Sequence, residues 1–182
     1  MSNLSIAINR ARASAKETLK NIERSPCTHV DVFAVAKSLG VTIAEPIAFE
    51  SDQISGFLKR NSESIAEIVV NKNHNPERQR FTIAHEIGHF VLHARELLHV
   101  DDNVSAQPAF FRDAESSKAT KLKEIEANQF AAELLMPSDE IQDLVKQKIE
   151  AGESFDIAVL ELADTYQVSQ IAMTIKIGAS VS

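Results

Sequence analysis

The 182-residue sequence is short of several residue types, and each shortage excludes a class of protein. Its single cysteine, Cys27, excludes an internal disulfide bond and a cysteine-based zinc cluster. Aromatic residues make up 5% of the chain and tryptophan is absent, so we expect a core of Leu, Ile, Val, Ala and Phe. No apolar run approaches the roughly 18 residues of a membrane span, and the polar N-terminus lacks the apolar segment of a signal peptide. We therefore expect a cytoplasmic protein that does not bind a membrane.

Positive charge is also scarce in this chain. Lys and Arg number 19 against 26 Asp and Glu, which gives a formal net charge of −7. Because the overall field of an acidic protein does not attract a polyanion, direct binding of nucleic acid is not expected. The content of 44% hydrophobic and 25% charged residues is that of an ordinary soluble globular protein.

The N-terminal half changes character from helix to strand. Helical spacing of apolar residues over 3–24 and 30–39 predicts two helices. Three short runs rich in β-branched residues follow at 41–44, 54–58 and 65–70, and polar turns separate them. They predict a small, mostly antiparallel three-stranded sheet. The run ending at Val70 is a candidate edge strand that adds an extended peptide to the sheet.

The C-terminal half is predicted to be helical. Asn75 and Pro76 are a good N-cap and first residue for a long helix that ends near Leu97. A loop is expected over 100–118. Further helices are predicted over 120–136, 139–150, 155–166 and 169–177.

These elements predict an α+β fold. We expect one domain over 1–137 that includes the N-terminal helices, with C-terminal helices over 138–182 packed on it. The last two helices have the spacing of a helix-turn-helix pair, with Ser169 capping the second. The second helix carries one basic residue, Lys176, whereas major-groove recognition requires several polar or basic side chains. We therefore expect this pair to pack against the core.

The string His85-Glu86-Ile87-Gly88-His89 carries the strongest chemical signal in the chain. Histidines at i and i+4 lie about 40° apart around a helix, one turn apart, so both imidazoles can point at one ion. Zinc accepts neutral imidazole nitrogen and keeps an open position for water in catalytic sites. Glu86 lies on the flank of the same site, where its carboxylate can act as general base toward that water.

A catalytic zinc ion needs a third protein ligand from elsewhere in the chain. Glu124 and Asn128 share a helix face beside a predicted buried stripe of Ala127, Phe130, Ala131, Leu134 and Leu135. Glu124 can be the third ligand, and Asn128 can orient a ligand through a hydrogen bond. The alternative is a solvated charged face, and Glu126 and Glu133 are expected to be of that kind or to pair with Lys and Arg.

Two segments in this order resemble the ImmA/IrrE family of metallopeptidases. One runs from Pro76 through His89 to His93, and the other from Glu124 through Asn128 to Pro137. A looser likeness covers Val30 to Val41 and Ile54-Ser55-Gly56. The resemblance implies that residues 1–137 form a zincin-like peptidase domain. It also implies one zinc ion held by His85, His89 and Glu124, with Glu86 as the catalytic carboxylate. It is Glu124, four residues before Asn128, that matches the family's ligand position.

The resemblance also implies a biological role. The family is similar in outline to thermolysin-like enzymes, and its members typically cleave a helix-turn-helix repressor in phage, mobile-element or stress responses. A repressor substrate is therefore expected. The rival is a non-catalytic, zinc-containing transcriptional regulator or repressor-binding protein. The residues leave open whether another divalent ion such as Mn²⁺ occupies the site, and whether His93 faces substrate or packs at the helix end.

Overall fold

The computed structural model describes residues 2–62, 65–93, 98–102 and 114–181. Within these ranges the chain forms seven helices and four strands. The helices are α1 (Asn3–Lys20), α2 (Val32–Ser38), α3 (Pro76–Leu92), α4 (Ala114–Leu135), α5 (Ser138–Glu150), α6 (Phe155–Tyr166) and α7 (Gln170–Val181). The strands are β1 (Val41–Ile43), β2 (Ile54–Ser62), β3 (Ile65–Val70) and β4 (Leu98–Asp102). The predicted α+β class is confirmed.

The sheet contains the three predicted strands and one more. Among the described strands the order is β1-β3-β2-β4, with β1 parallel to β3 and β2 antiparallel to both β3 and β4. Leu98–Asp102 was expected at the end of a helix and the start of a loop, yet it pairs with β2. β3 lies between β1 and β2, so the expectation that it offers a free edge to a peptide is wrong.

Helix α3 begins as the sequence predicts. The Asn75 side chain accepts a hydrogen bond from the Arg78 amide at 2.8 Å, and Pro76 occupies the first turn. The helix ends at Leu92 rather than near Leu97, because His93 leaves helical geometry with φ −126° and ψ 56°. Of the predicted loop over 100–118, residues 103–113 lie outside the described part of the chain.

Helix α4 packs against α1 on one side and α3 on the other. The predicted stripe of α4 is buried as expected: Ala127, Phe130, Ala131, Leu134 and Leu135 are all inaccessible to solvent. The facing side of α1 has buried alanines at every fourth position: Ala7, Ala11 and Ala15. Such small side chains let the two helix backbones approach closely. The position of α4, and of every residue on it, therefore depends on both of its neighbours.

The C-terminal helices pack on the same core. Ile141, Tyr166, Met173 and Ile177 belong to one buried cluster with residues of the sheet, α2, α3 and α4. Ser138 begins α5 without capping it and donates instead to the Glu133 carboxylate. The division of the chain at residue 137 stays a prediction. No helix in the described part of the chain is long and apolar enough to cross a membrane.

The α6–α7 pair has the turn of a helix-turn-helix motif. Gln167 adopts left-handed geometry with φ 52°, at the point where the motif often has glycine. Ser169 accepts a hydrogen bond from the Ala172 amide at 3.2 Å, as predicted for a cap. Lys176 is buried and donates to Glu133 at 2.7 Å. The single basic residue predicted on this helix therefore faces the core.

Candidate metal centre

Two histidines of α3 form the base of the site. His85 and His89 are 2% and 1% exposed, one helical turn apart. Their ring centroids are separated by 4.7 Å and their Nε2 atoms by 3.1 Å. Both nitrogens therefore converge on the same small volume, as the i to i+4 spacing predicts.

Glu124 of α4 completes a group of three potential ligands. Its Oε2 lies 3.4 Å from His85 Nε2 and its Oε1 lies 3.4 Å from His89 Nε2. Its side chain is 34% exposed, so the group is reachable from solvent on this side. Among the described residues, this is the group of His, Cys, Asp and Glu side chains that can share one metal ion.

The spacing of the three groups fits a zinc ion. Zinc bonds to imidazole nitrogen and carboxylate oxygen are about 2.0–2.2 Å long, so the donor atoms of a tetrahedral site lie about 3.3–3.6 Å apart. The two separations of 3.4 Å between Glu124 and the histidines fall in this range, and the 3.1 Å between the histidine Nε2 atoms is about 0.2 Å shorter than its lower end. Two imidazoles and one carboxylate are also the ligand set of thermolysin-type catalytic zinc.

A glycine sets how closely α4 approaches the histidines. A Cβ atom added to Gly88 would lie 3.2 Å from the Ala127 Cα, the Ala127 carbonyl oxygen and the Phe130 Cβ. These are backbone or near-backbone atoms of α4, which cannot turn aside as a flexible side-chain end can. The absence of a side chain at Gly88 therefore brings α4, and with it Glu124, close to α3.

Asn128 contacts the outer nitrogen of one histidine. His85 Nδ1 lies 3.0 Å from Asn128 Oδ1. Because an amide oxygen only accepts hydrogen bonds, this contact requires the proton on Nδ1 and leaves the Nε2 lone pair facing Glu124 and His89. That tautomer is the one a metal ligand needs.

Glu86 is fully buried, with 0% of its surface exposed. It precedes His89 by three residues, so these two side chains are neighbours on the helix surface. It lies about 100° around the helix from His85, on the flank of the site. Burial restricts water around this carboxylate, and a buried carboxylate interacts more strongly with nearby protons and charges than an exposed one.

The protonation of Glu124 reflects its neighbours. Burial acts to raise the pKa of Glu124, but the imidazoles of His85 and His89 outweigh burial when they are protonated, because they then donate hydrogen bonds to the carboxylate and carry positive charge, and they lower this pKa far below its usual range. The carboxylate is therefore ionised at neutral pH, as a metal ligand must be.

His93 lies one turn beyond His89 on α3, and Glu126 lies two residues beyond Glu124 on α4. His93 is the C-cap of α3, and its Nε2 lies 3.4 Å from the Lys123 carbonyl oxygen and 3.7 Å from Glu126 Oε2. Since both neighbours are acceptors, Nε2 carries a proton directed at α4. This arrangement matches packing at the helix end, one of the two alternatives for His93.

The two acidic residues expected on a solvated face are buried instead. Glu126 pairs with Arg10, and Glu133 pairs with Lys176. The pairing alternative is therefore the right one for both. Sequence reasoning did not predict that Arg10 of α1 reaches the active-site helices, because nothing in its local sequence marks a contact 116 residues away.

An α+β fold that presents two histidines of one helix and a glutamate of the next is typical of metallopeptidases. The chain belongs to the Peptidase_M78 family, described as the IrrE N-terminal-like domain, whose model matches residues 36–177. The family resemblance found in the sequence is thereby confirmed.

Three relatives are similar to part of this chain. The radiation response metalloprotease IrrE of Deinococcus radiodurans is 37% identical over 103 residues, 56% of this chain and 27% of that protein. Its namesake in Deinococcus deserti is 36% identical over 102 residues, 56% of this chain and 32% of that protein. Uncharacterized immunity region protein 2 of Bacillus phage phi105 is 35% identical over 85 residues, 47% of this chain and 46% of that protein. The matched segments thus span less than half of each relative.

Proposed function

We propose that this protein is a zinc-dependent regulatory endopeptidase. The observation that carries the proposal is the convergence of His85, His89 and Glu124 at donor separations of 3.1–3.4 Å, with Glu86 on the adjoining helix position. Membership of a peptidase family supports the same reaction class.

Each residue has a distinct role in the proposed mechanism. His85, His89 and Glu124 hold the metal, which when bound acts as a Lewis acid toward the scissile carbonyl and lowers the pKa of water. Glu86 accepts a proton from the attacking water and transfers it to the leaving amine. Asn128 keeps His85 in the tautomer with a free Nε2 lone pair. The described residues do not identify the group that stabilises the oxyanion.

The proposed substrate is a helix-turn-helix transcriptional repressor, in a phage, mobile-element or stress response. The names of the relatives support this class, since one group is called a radiation response metalloprotease and another an immunity region protein. A repressor acts in the cytoplasm, so the proposed function includes a cytoplasmic location.

Incubation with the repressor encoded beside this gene tests the proposal. We expect one specific cut, seen as two fragments by mass spectrometry. A chelator should abolish the cut, and added Zn²⁺ should restore it. An intact repressor after incubation with zinc-loaded protein would reject the proposal.

The rival function is non-catalytic regulation by DNA binding or by holding a repressor. The turn between α6 and α7, with Gln167 in left-handed geometry, resembles that of a helix-turn-helix motif. However, Lys176 is buried, and the exposed large side chains of α7 include Ile171 and Ile175, which are 74% and 66% exposed. A zinc-loaded protein that retards operator DNA and leaves the repressor uncut would support the rival.

A further inference from the structure

A buried carboxylate joins three helices beside the metal centre. Glu126 of α4 has a side chain only 4% exposed. Its Oε1 accepts a hydrogen bond from Arg10 Nη2 of α1 at 2.5 Å, and its Oε2 lies 3.7 Å from His93 Nε2 at the end of α3. An ionised carboxylate is costly to bury unless it is paired, so these contacts are a structural requirement of this position.

Glu126 and His93 each lie near a proposed ligand on their own helix. Glu126 follows Glu124 by two residues on α4, and His93 follows His89 by four on α3. The Glu126–His93 contact therefore joins the two ligand-bearing helices within about one turn of Glu124 and His89. Two further contacts between these helices are Gly88 against Ala127, which limits their separation, and the hydrogen bond of His85 with Asn128. The Glu126–His93 contact adds a point near the end of α3, which restricts rotation and sliding of one helix against the other.

Arg10 supplies the positive charge that this arrangement needs. Its guanidinium is a permanent cation, and its side chain is 57% exposed. Without it, Glu126 either stays buried beside His93 with no permanent cation at its Oε1 or turns toward solvent. Turning toward solvent breaks the contact with His93, and this removes one of the contacts that hold the segment of α4 with Glu124 against α3.

We propose that Arg10 and Glu126 are positioning residues for the metal ligand Glu124. Helix α1 thereby helps to hold Glu124 in the position that metal binding requires. Helix α1 precedes residues 36–177, the range that the family model matches. The inference rests on the proposed ligand set but does not depend on which protein is cleaved.

The test compares two arginines of the same helix. Arg10→Ala removes the partner of Glu126, whereas Arg12→Ala removes a matched hydrogen bond from α1 to Gln129 of α4, 3.0 Å long, that does not involve Glu126. Zinc affinity is measured by competition with a chromophoric chelator, on full-length protein. We expect Arg10→Ala to lower zinc affinity about tenfold. This is the lower end of the roughly 10- to 100-fold loss that follows when a residue supporting a metal ligand is removed. Arg12→Ala should leave the zinc affinity within about twofold of wild type, because Arg12 donates its hydrogen bond to Gln129, which is neither a proposed ligand nor the hydrogen-bond partner of one.

A spectroscopic measurement separates positioning from general loosening. The visible absorption of the Co²⁺-loaded protein reports ligand geometry and should change in Arg10→Ala but not in Arg12→Ala. Arg10→Lys, which keeps the charge, should recover part of the zinc affinity. Equal zinc affinities for Arg10→Ala and wild type, or equal losses in the two alanine variants, would overturn the inference.

The outcome is distinguishable from a failure of the proposed function. Zinc binding that weakens in Arg10→Ala, in a protein that cuts no repressor, supports the inference and rejects the endopeptidase. Cleavage by wild type together with unchanged zinc binding in Arg10→Ala supports the endopeptidase and rejects the inference. Arg10 is mostly exposed, so its truncation leaves no cavity to unfold the chain.

Discussion

His85 Nδ1 and Asn128 Oδ1 are 3.0 Å apart, and this contact joins the two helices that carry the proposed ligands. It sets the tautomer of His85, because the amide oxygen requires a proton on Nδ1. One hydrogen bond therefore both orients an imidazole and holds α4 against α3.

Loss of this contact should weaken the metal centre without unfolding the protein. We expect Asn128→Ala to reduce zinc affinity by about 10- to 100-fold, the range found for the partners of metal-bound histidines. Asn128→Asp retains an acceptor oxygen and should retain most of the affinity. Titration against a chelating dye measures both variants. Wild-type affinity in the alanine variant would show that the contact does not orient His85.

The carboxylate of Glu86 is expected to act on protons rather than on the metal. Glu86→Gln keeps the size of the side chain but removes the base. We expect this variant to bind one zinc ion per chain while repressor cleavage falls by at least about 100-fold, the lower range for a general acid–base group. Zinc content by atomic absorption and a gel assay of cleavage provide the two measurements. Full cleavage by Glu86→Gln would contradict the mechanism.

Gly88 should be intolerant of even a methyl group. In Gly88→Ala the new Cβ meets α4 backbone at 3.2 Å, so α4 must move outward. The helix propensity gain of about 1 kcal/mol is then offset by an overpacking cost of about 1–3 kcal/mol. We expect lower zinc affinity and no gain in the free energy of unfolding.

A second helical glycine provides the control for Gly88. A Cβ added to Gly178 of α7 meets no atom of the described residues within 4 Å. Gly178→Ala should therefore raise the free energy of unfolding, by up to about 1 kcal/mol, and leave zinc affinity unchanged. Urea unfolding of the metal-free protein and a zinc titration distinguish the two substitutions. Equal effects of both would show that the α3–α4 contact does not limit the approach of α4.

Acid should destabilise the attachment of the α1–α2 loop. Glu140 of α5 pairs with Arg24 and accepts hydrogen bonds from the Cys27 amide at 3.1 Å and the Tyr166 hydroxyl at 3.0 Å. Burial acts to raise the pKa of Glu140, but these partners outweigh burial and lower it below its ordinary value. A group with a lowered folded-state pKa contributes stability that is complete above its unfolded-state pKa and is lost as the pH falls through the folded value.

The free energy of unfolding should therefore fall as the pH drops below about 4.3, the ordinary pKa of glutamate. In Glu140→Gln we expect lower stability at pH 7 and a shallower decline toward low pH. Glu150→Gln, at an exposed position of the same helix, is the control and should leave the profile unchanged. Urea unfolding between pH 3 and 7 measures the free energy of unfolding of each variant. Parallel pH profiles for wild type and Glu140→Gln would refute the assignment of this acid sensitivity to Glu140.

Local signals in the chain were sufficient for much of this architecture. The N-cap Asn75, the first-turn Pro76 and the burial of Ala127 and Phe130 all agree with expectation, because caps and helical periodicity act over a few residues. The end of α3 was predicted about one turn too late. Its end depends on His93, whose ring reaches the Lys123 carbonyl oxygen of α4 as well as the His89 ring of its own helix.

The sheet and the acidic residues of α4 show where local signals are insufficient. The strand Leu98–Asp102 pairs with β2, and β3 lies in the interior of the sheet, because strand order depends on partners distant in sequence. The charges of Glu126 and Glu133 alone do not distinguish a solvated carboxylate from a buried one. Their partners, Arg10 and Lys176, lie 116 and 43 residues away.

For the metal centre, the sequence by itself determined the pairing of His85 with His89, since two positions four residues apart on a helix share a face whatever surrounds them. It also identified Glu124 as a candidate ligand. Only the tertiary structure decided that Glu124 lies 3.4 Å from both histidines. That distance depends on the packing of α4 between α1 and α3, where Gly88 removes a side chain and Arg10 neutralises a buried carboxylate. Such packing is a property of the whole core and of no single segment.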